Sequence, residues 1–292
     1  MAFRNVRRIL KGGVSLSAFK MLAMQASFSR PRLKKVCARI LSPFVHNGEI
    51  SVHYRCYGHR LTALIRVSDL QSDLFTVTET ACDNCYKLDN AFAPDLIVDA
   101  GANIGMFTLV ASATYPVAKK IIACEPVPRC IAQIEKHLRI NQVNAEILPV
   151  CIGGRRGTIP FYIREAIASS FSSDKPYIDR MDVEVMTLND VLQGRDAQRI
   201  LIKLDIEGME LEVLESYVPS ETRPVSVVGE LHGRKVNGER LEEIFVTNGW
   251  TLTYLDFNET DSIFQAWSPA ALQLAGDPHG VASTSQTLKL EE

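Results

Sequence analysis

Ten consecutive residues restrict the fold of this chain more than any others: Leu96-Ile97-Val98-Asp99-Ala100-Gly101-Ala102-Asn103-Ile104-Gly105. Leu96 to Val98 form a short apolar run behind Pro94, which fits a buried central strand. Asp99 closes the run, and Gly101 and Gly105 allow a tight turn with close backbone approach. Met106, Phe107, Leu109, Val110 and Ala111 then follow at helical spacing. In an open α/β sheet, such a strand-to-helix crevice is where a nucleotide-like ligand binds. The spacing here is Gly-x-x-x-Gly, not the dinucleotide Gly-x-Gly-x-x-Gly, and an acid precedes the first glycine. That acid repels a pyrophosphate but suits a cationic ligand, such as a sulfonium with its aminoacyl ammonium.

From residue 95 onward, strand and helix patterns alternate. Strands are expected over 96–99, 121–125, 146–151, 200–205, 225–230, 250–256 and 262–267, and helices over 103–115, 128–140, 187–193, 208–217 and 238–248. Thr187-Leu188-Asn189-Asp190 has the form of a capping box, and Asn248-Gly249 that of a helix stop. The last two strands are joined only by Asn258 to Asp261, so they should be antiparallel. The expected core domain, residues 95–269, is α/β: a seven-stranded, mostly parallel sheet that ends in an antiparallel hairpin. Ahead of it, residues 49–94 hold a β-hairpin and a lead-in segment. Ile50, Val52, Tyr54 and Cys56 alternate, Gly58 turns, Thr62, Leu64 and Arg66 alternate back, and Asp69 to Lys87 is polar and helical. Residues 270–292 lose all periodicity and are expected to be a disordered tail.

Residues 1–48 contain ten Lys and Arg and no acid, although the whole chain carries a formal charge of −2. They are expected to form a basic helical arm in which Leu33, Val36, Cys37, Ile40 and Leu41 share one face. Packing on the core is the favoured reading of the arm. A weak membrane-surface contact and an organelle transit peptide are the others. The near-neutral whole argues against a nucleic-acid partner. The seven scattered cysteines point to reduced thiols and a cytoplasmic setting, and no apolar run is long enough to span a bilayer. Cys56, His59, Cys82 and Cys85 have only a weak zinc-like spacing, and ordinary thiols are the preferred reading.

Three further stretches carry chemistry. Glu125-Pro126 ends the second core strand, where an acid can accept both hydroxyls of a ribose. Lys203-Leu204-Asp205-Ile206-Glu207-Gly208-Met209-Glu210 crowds three acids at a strand end, a setting that raises carboxylate pKa values toward general-base work. Glu230 and His232 lie two apart at the exit of the fifth strand, so both face the same way.

Asp99 to Gly105, Glu125-Pro126, Asn141, Asn144, Thr187-Leu188, Lys203-x-Asp205-x-Glu207-Gly208-x-Glu210, Glu230-x-His232 and the lead-in Val67-Ser68-Asp69-Leu70 together resemble the FkbM-type S-adenosylmethionine-dependent methyltransferases over about residues 50 to 267. Asn189 and Cys151 depart from the family's usual residues. The resemblance implies a Rossmann-like class I fold and O-methylation of a sugar, glycolipid or secondary metabolite. Asp99, Gly101, Asn103, Gly105, Glu125, Pro126, Cys151 and Ile152 would hold the cofactor. Asp205, Glu207, Glu230 and His232 would face a small-molecule or glycan acceptor, with His232 or Asp205 as the base. A metal-free base is preferred over a Mg²⁺ ion on the same four residues. A catalytically silent scaffold and a nicotinamide oxidoreductase are the alternatives. Arg155, Arg156, Arg164 and Ser169 to Ser173 are candidates for a lid or acceptor wall.

Overall fold

The computed structural model describes residues 20, 23–24, 34–88, 92–163, 177–217, 223–257 and 261–275. Its centre is a seven-stranded sheet. β4 (Leu96–Ala100), β5 (Lys120–Cys124), β6 (Glu146–Leu148), β10 (Ile200–Leu204) and β11 (Val225–His232) run parallel, and β12 (Thr251–Phe257) and β13 (Asp261–Trp267) close one side as an antiparallel pair. The spatial order is β12-β13-β11-β10-β4-β5-β6, with β13 antiparallel to β11. The chain leaves β4 toward β5 and β6 on one side and returns to β10 and β11 on the other, so the switch point lies between β4 and β10.

Alternation along these strands feeds two cores. Ile97, Ile121, Ala123, Leu201 and Val228 face α3 (Met106–Thr114), α4 (Pro128–Asn141) and the N-terminal hairpin. Leu96, Val98, Ala100, Ile122, Ile202, Leu204, Val225 and Val227 face α5 (Leu188–Leu192), α6 (Glu210–Ser216) and α7 (Arg234–Thr247). All five residues of β4 and of β10 are buried, as a strand covered on both faces requires. Thr187 and Asp190 form the expected capping box on α5, and Gly249, at φ 70°, follows the last turn of α7.

Two expectations need correction here. The strand expected over 146–151 is broken by Pro149, which cannot donate to a ladder. Cys151–Ile152 (β7) instead joins β8 (Gly157–Ile163) and β9 (Asp179–Met186) in a separate three-stranded sheet, so part of the expected lid is a β-hairpin. Arg164 and Ser169 to Ser173 lie outside the described residues. The expected disordered tail begins instead with a helix, α8 (Pro269–Ala275), which buries Ala271; residues 276–292 are not described.

The N-terminal layer has α1 (Lys34–Leu41), β1 (Val45–His46), the hairpin β2 (Glu49–Cys56) and β3 (His59–Arg66), then α2 (Leu70–Val77) running into a π-helical turn over Thr78–Cys82. On α1 only part of the expected apolar face packs: Cys37 and Leu41 are buried, whereas Val36 and Ile40 are exposed. β3 is the edge of its sheet, and a polar stripe of α4 meets that edge. Gln133 donates to Leu64 O, His137 Nε2 accepts from Leu64 N at 2.8 Å, and Asn141 both accepts from and donates to the Thr62 backbone. Four helical residues rise about 6 Å and two strand residues about 6.8 Å, so side chains at i, i+4 and i+8 substitute for a missing strand.

His137 Nδ1 donates to Ile104 O at 2.7 Å, which ties the hairpin to the glycine turn. Burial lowers its pKa, so the ring is neutral in the fold. Replacing His137 with Ala should destabilise the protein by about 2–4 kcal/mol, because two buried backbone groups lose their partners. Because the unfolded ring takes up its proton more readily, stability should also fall as pH drops below 6.5. Urea unfolding of wild type and His137→Ala across that range checks both, the variant losing its share of the pH dependence.

Candidate active site

The site grows out of one cross-strand pair. Asp99 on β4 and Lys203 on β10 are register partners at the switch point. Both are buried, with Lys203 Nζ 3.3 Å from Asp99 Oδ1. The second Asp99 oxygen accepts from Thr108 Oγ1 at 2.7 Å. Lys203 Nζ also donates to Gly101 O at 2.6 Å and Ala100 O at 3.3 Å, and lies 3.6 Å from Asp205 Oδ2. Burial works against the ammonium, but the charges of Asp99 and Asp205 outweigh it and leave the lysine pKa raised. The lysine thus pins the carbonyls of the glycine turn and the first acid of the second cluster.

The turn has no room for side chains. Gly101 sits at φ +77°, and a Cβ there would lie 1.9 Å from Asp205 O. Beside it opens a cleft lined by Gly101, Asn103, Glu125, Pro126, Cys151, Ile152, Phe161, Asp205 and Glu207 among others. Glu125 is the polar anchor: its two carboxylate oxygens accept from Asn103 N at 2.8 Å and Val127 N at 3.0 Å. Burial pushes its pKa up to about 7, against the pull of those two hydrogen bonds. A buried acid at the cavity wall fits the two hydroxyls of a ribose, and Cys151, Ile152 and Phe161 offer apolar walls to a base.

Two residues expected to touch the cofactor do not line this cavity. Asp99 is fully buried against Lys203 and Thr108, and Gly105 packs against Ile134. The acid before the first glycine was expected to meet a cationic ligand; the protein's own lysine takes that place. Arg66, Asp69, Ser72 and Arg129 line the cavity without having been singled out for it. Of these, only Asp69 falls within the lead-in string Val67-Ser68-Asp69-Leu70.

The second cluster lies across the turn. Asp205, Glu207 and His232 present oxygen and nitrogen atoms all within 4.8 Å of one another. His232 Nδ1 is 3.0 Å from Glu210 Oε1, and Nε2 is 3.5 Å from Glu207 Oε2. Glu210 is committed to structure, because the same oxygen accepts from Ile206 N and Gly208 N and the residue is buried. Glu207 sits at φ 61°, a left-handed conformation that costs a non-glycine residue energy and that marks functional turns. Tyr86 is a member that sequence reading missed: its hydroxyl donates to Asp205 Oδ2 at 3.0 Å, and its ring packs edge-on against Phe107. Glu230 shares the side of β11 that carries His232, opposite the buried Leu231.

The charges sort these groups. Burial and the nearby Asp205 push Glu207 up to about 7 and Glu230 up to about 8. Burial opposes the His232 imidazolium, but the Glu210 hydrogen bond and the charges of Glu210, Asp205 and Glu207 carry its pKa to about 10. The ring is therefore already protonated at neutral pH. That raised pKa weighs against the expected role of His232 as base, and the ring's contacts are with Glu210 and Glu207.

The family model for the methyltransferase FkbM domain matches residues 99–266. The chain belongs to the FkbM methyltransferase family. It is a methyltransferase, and S-adenosylmethionine is the cofactor of this family. The assignment leaves the nicotinamide alternative without support. Among curated proteins it is 32% identical over 175 residues to Methyltransferase sdnD of Sordaria araneosa, covering 48% of this chain and 67% of that protein. It is 30% identical over 165 residues to Methyltransferase 1 of Beauveria bassiana, covering 48% of this chain and 65% of that one. Similar solved structures include a precorrin-6y C5,15-methyltransferase from Geobacter metallireducens, with a TM-score of 0.39, 14% identity, and 63% and 84% of the two chains covered. Another is TYW2 of P. horikoshii in complex with MeSAdo, with a TM-score of 0.41, 14% identity, and 82% and 84% covered. At those scores the likenesses carry no argument about substrate. No described helix is long and apolar enough to cross a membrane.

Removing the lysine tests the scaffold. Lys203→Met leaves Asp99 charged and buried, and should cost about 3–5 kcal/mol of stability. Adding Asp99→Leu to that variant should recover much of the loss, as urea unfolding of the double-mutant cycle would show.

Proposed function

We propose that this methyltransferase transfers its methyl group to a neutral hydroxyl of a small molecule or glycan. The observation that carries the reading is the joining of two unlike clusters at one backbone contact. Gly101, beside the Glu125 cradle, abuts the carbonyl of Asp205, which opens the acid cluster. S-adenosylmethionine, when bound, supplies a methyl group on a positively charged sulfur. Glu125 would accept the ribose hydroxyls, and Cys151, Ile152 and Phe161 would flank the base. Asn103 and the Gly101 backbone would complete the cradle, with Pro126 behind Glu125.

At the acceptor end, among the described residues, Asp205, Glu207, Glu210 and Glu230 gather around Lys203 and His232. That excess of negative charge disfavours phosphorylated or carboxylated acceptors and tolerates a polyol. A hydroxyl must lose its proton as its oxygen is methylated. Glu230 and Glu207, with pKa values lifted by burial, are matched to take it near neutral pH. His232, as imidazolium, would hold Glu207 and Glu210 in place. Most of the rate then comes from positioning the two reactants.

A second reading is favoured by the Asp205, Glu207 and His232 spacing, which could surround a divalent cation. Ligation would need His232 neutral, so a bound cation would have to displace its proton. Exhaustive chelation separates the two. Retained turnover supports the carboxylate base; loss that Mg²⁺ restores supports the cation.

The reading fixes a pH profile. The base must be ionised, so kcat/KM should rise with pH through the range about 7 to about 8 set by Glu207 and Glu230. It should fall again as His232 loses its proton near about 10. Glu230→Gln should lower turnover by about 10²–10⁴-fold and flatten the rising limb. Methyl-labelled cofactor incubated with cell extract, with products resolved by mass spectrometry, supplies the assay. Label carried on nitrogen or carbon contradicts O-methylation, and cofactor binding without label in any product would favour the silent scaffold.

A further inference from the structure

Charge is distributed along this chain in two blocks. The first 68 residues hold thirteen Lys and Arg and one acid, Glu49, in a chain whose totals are 32 and 34. Glu49 is itself engaged, with Lys136 Nζ at 2.6 Å. The first 68 residues are therefore strongly positive in sequence and the remainder strongly negative, and the near-neutral total conceals both.

Part of that positive block is laid out on a definite surface. α1 has three adjacent stripes, each of two residues one turn apart. Cys37 and Leu41 are buried against the core. Val36 and Ile40 stand 51% and 39% exposed. Lys35 and Arg39 are exposed on the far side of that aliphatic pair. Among the described residues, no ion pair joins Lys35 or Arg39 to a carboxylate. In the β2–β3 hairpin, Arg55 and Arg60 are exposed and are cross-strand partners in register. Like charges directly opposite one another oppose sheet formation, so the fold itself gains nothing from that pair. Lys20 adds to the same layer, donating to Ser51 O and lying 4.9 Å from the Phe44 ring centroid. The field is felt by His53, whose pKa is lowered by burial, Arg60 and Lys20.

We infer that α1 docks this protein on the surface of an anionic lipid bilayer, with Val36 and Ile40 at the headgroup boundary and Lys35 and Arg39 over the headgroups. Arg55 and Arg60 strengthen the attraction at longer range. Aliphatic side chains one turn apart beside a basic stripe are what an interfacial helix offers. A nucleic-acid backbone is met by cations and polar groups and has no use for exposed Val and Ile. One short helix gives weak, reversible and salt-sensitive attachment, not insertion. The surface is separate from the methyl-transfer site, and the inference does not depend on the acceptor.

Vesicle flotation of the full chain tests it. Phosphatidylserine-containing vesicles should carry roughly tenfold more protein than pure phosphatidylcholine vesicles, and high salt should abolish the difference. Val36→Asp with Ile40→Asp, and separately Lys35→Glu with Arg39→Glu, should each lower that binding by roughly tenfold with unchanged melting temperatures. Equal binding to both vesicle types overturns the inference. So does unchanged binding by both variants, or tighter binding to a nucleic-acid duplex than to the anionic vesicles.

Discussion

The buried contact between Lys203 and Asp99 is the interaction on which the site depends. It joins the two strands that flank the switch point, and its ammonium reaches the carbonyls of Ala100 and Gly101 and approaches Asp205. A buried ion pair is a poor source of stability, since desolvation cancels most of the attraction. Its value here is positional. Two backbone carbonyls and two carboxylates converge on one cation, so the glycine turn cannot shift without leaving a buried charge unmatched. The turn then places Gly101 against Asp205 and holds Asn103 N on Glu125.

Burial sets the rest of the chemistry through a single sign rule. It raises the pKa of Glu125, Glu207 and Glu230, against the pull of hydrogen bonds or a nearby cation. Where acids surround a base, their charges outweigh burial, and Lys203 and His232 stay protonated. The cofactor end thus has one poised acid at the cavity wall. The acceptor end has several acids and a fixed cation. On the proposed reading, two kinds of binding problem, a nucleoside and a hydroxyl, would be met by the same physics with different neighbours.

Much of this was legible in the sequence because it is written in local periodicity. Leu96 to Val98 and Ile200 to Leu204 are apolar runs that only a doubly covered strand accommodates, and the alternation of strand and helix fixed a parallel sheet. Glu125, Asp205 and Glu230 sit at strand ends, where topology alone brings them to one edge. What was not legible rests on packing between distant segments. Tyr86 meets Asp205 across 119 positions with no motif to announce it. Asp99 looked like a ligand for a cation, because nothing local says that Lys203 would fill that place. His232 looked like a base, because a histidine's pKa depends on neighbours such as Glu210 that only the fold supplies. The β8–β9 hairpin was hidden by an interior rich in Arg and Ser, and the split of the expected third strand turned on Pro149.

The central claim is that the glycine turn and Glu125 form the S-adenosylmethionine cradle, and titration calorimetry with that cofactor tests it most directly. Wild-type protein should bind at one site, and Glu125→Ala, with its fold retained, should bind about 10- to 100-fold more weakly through loss of charge-assisted bonds to the ribose hydroxyls. No binding by folded wild-type protein, or equal binding by Glu125→Ala, would contradict the account.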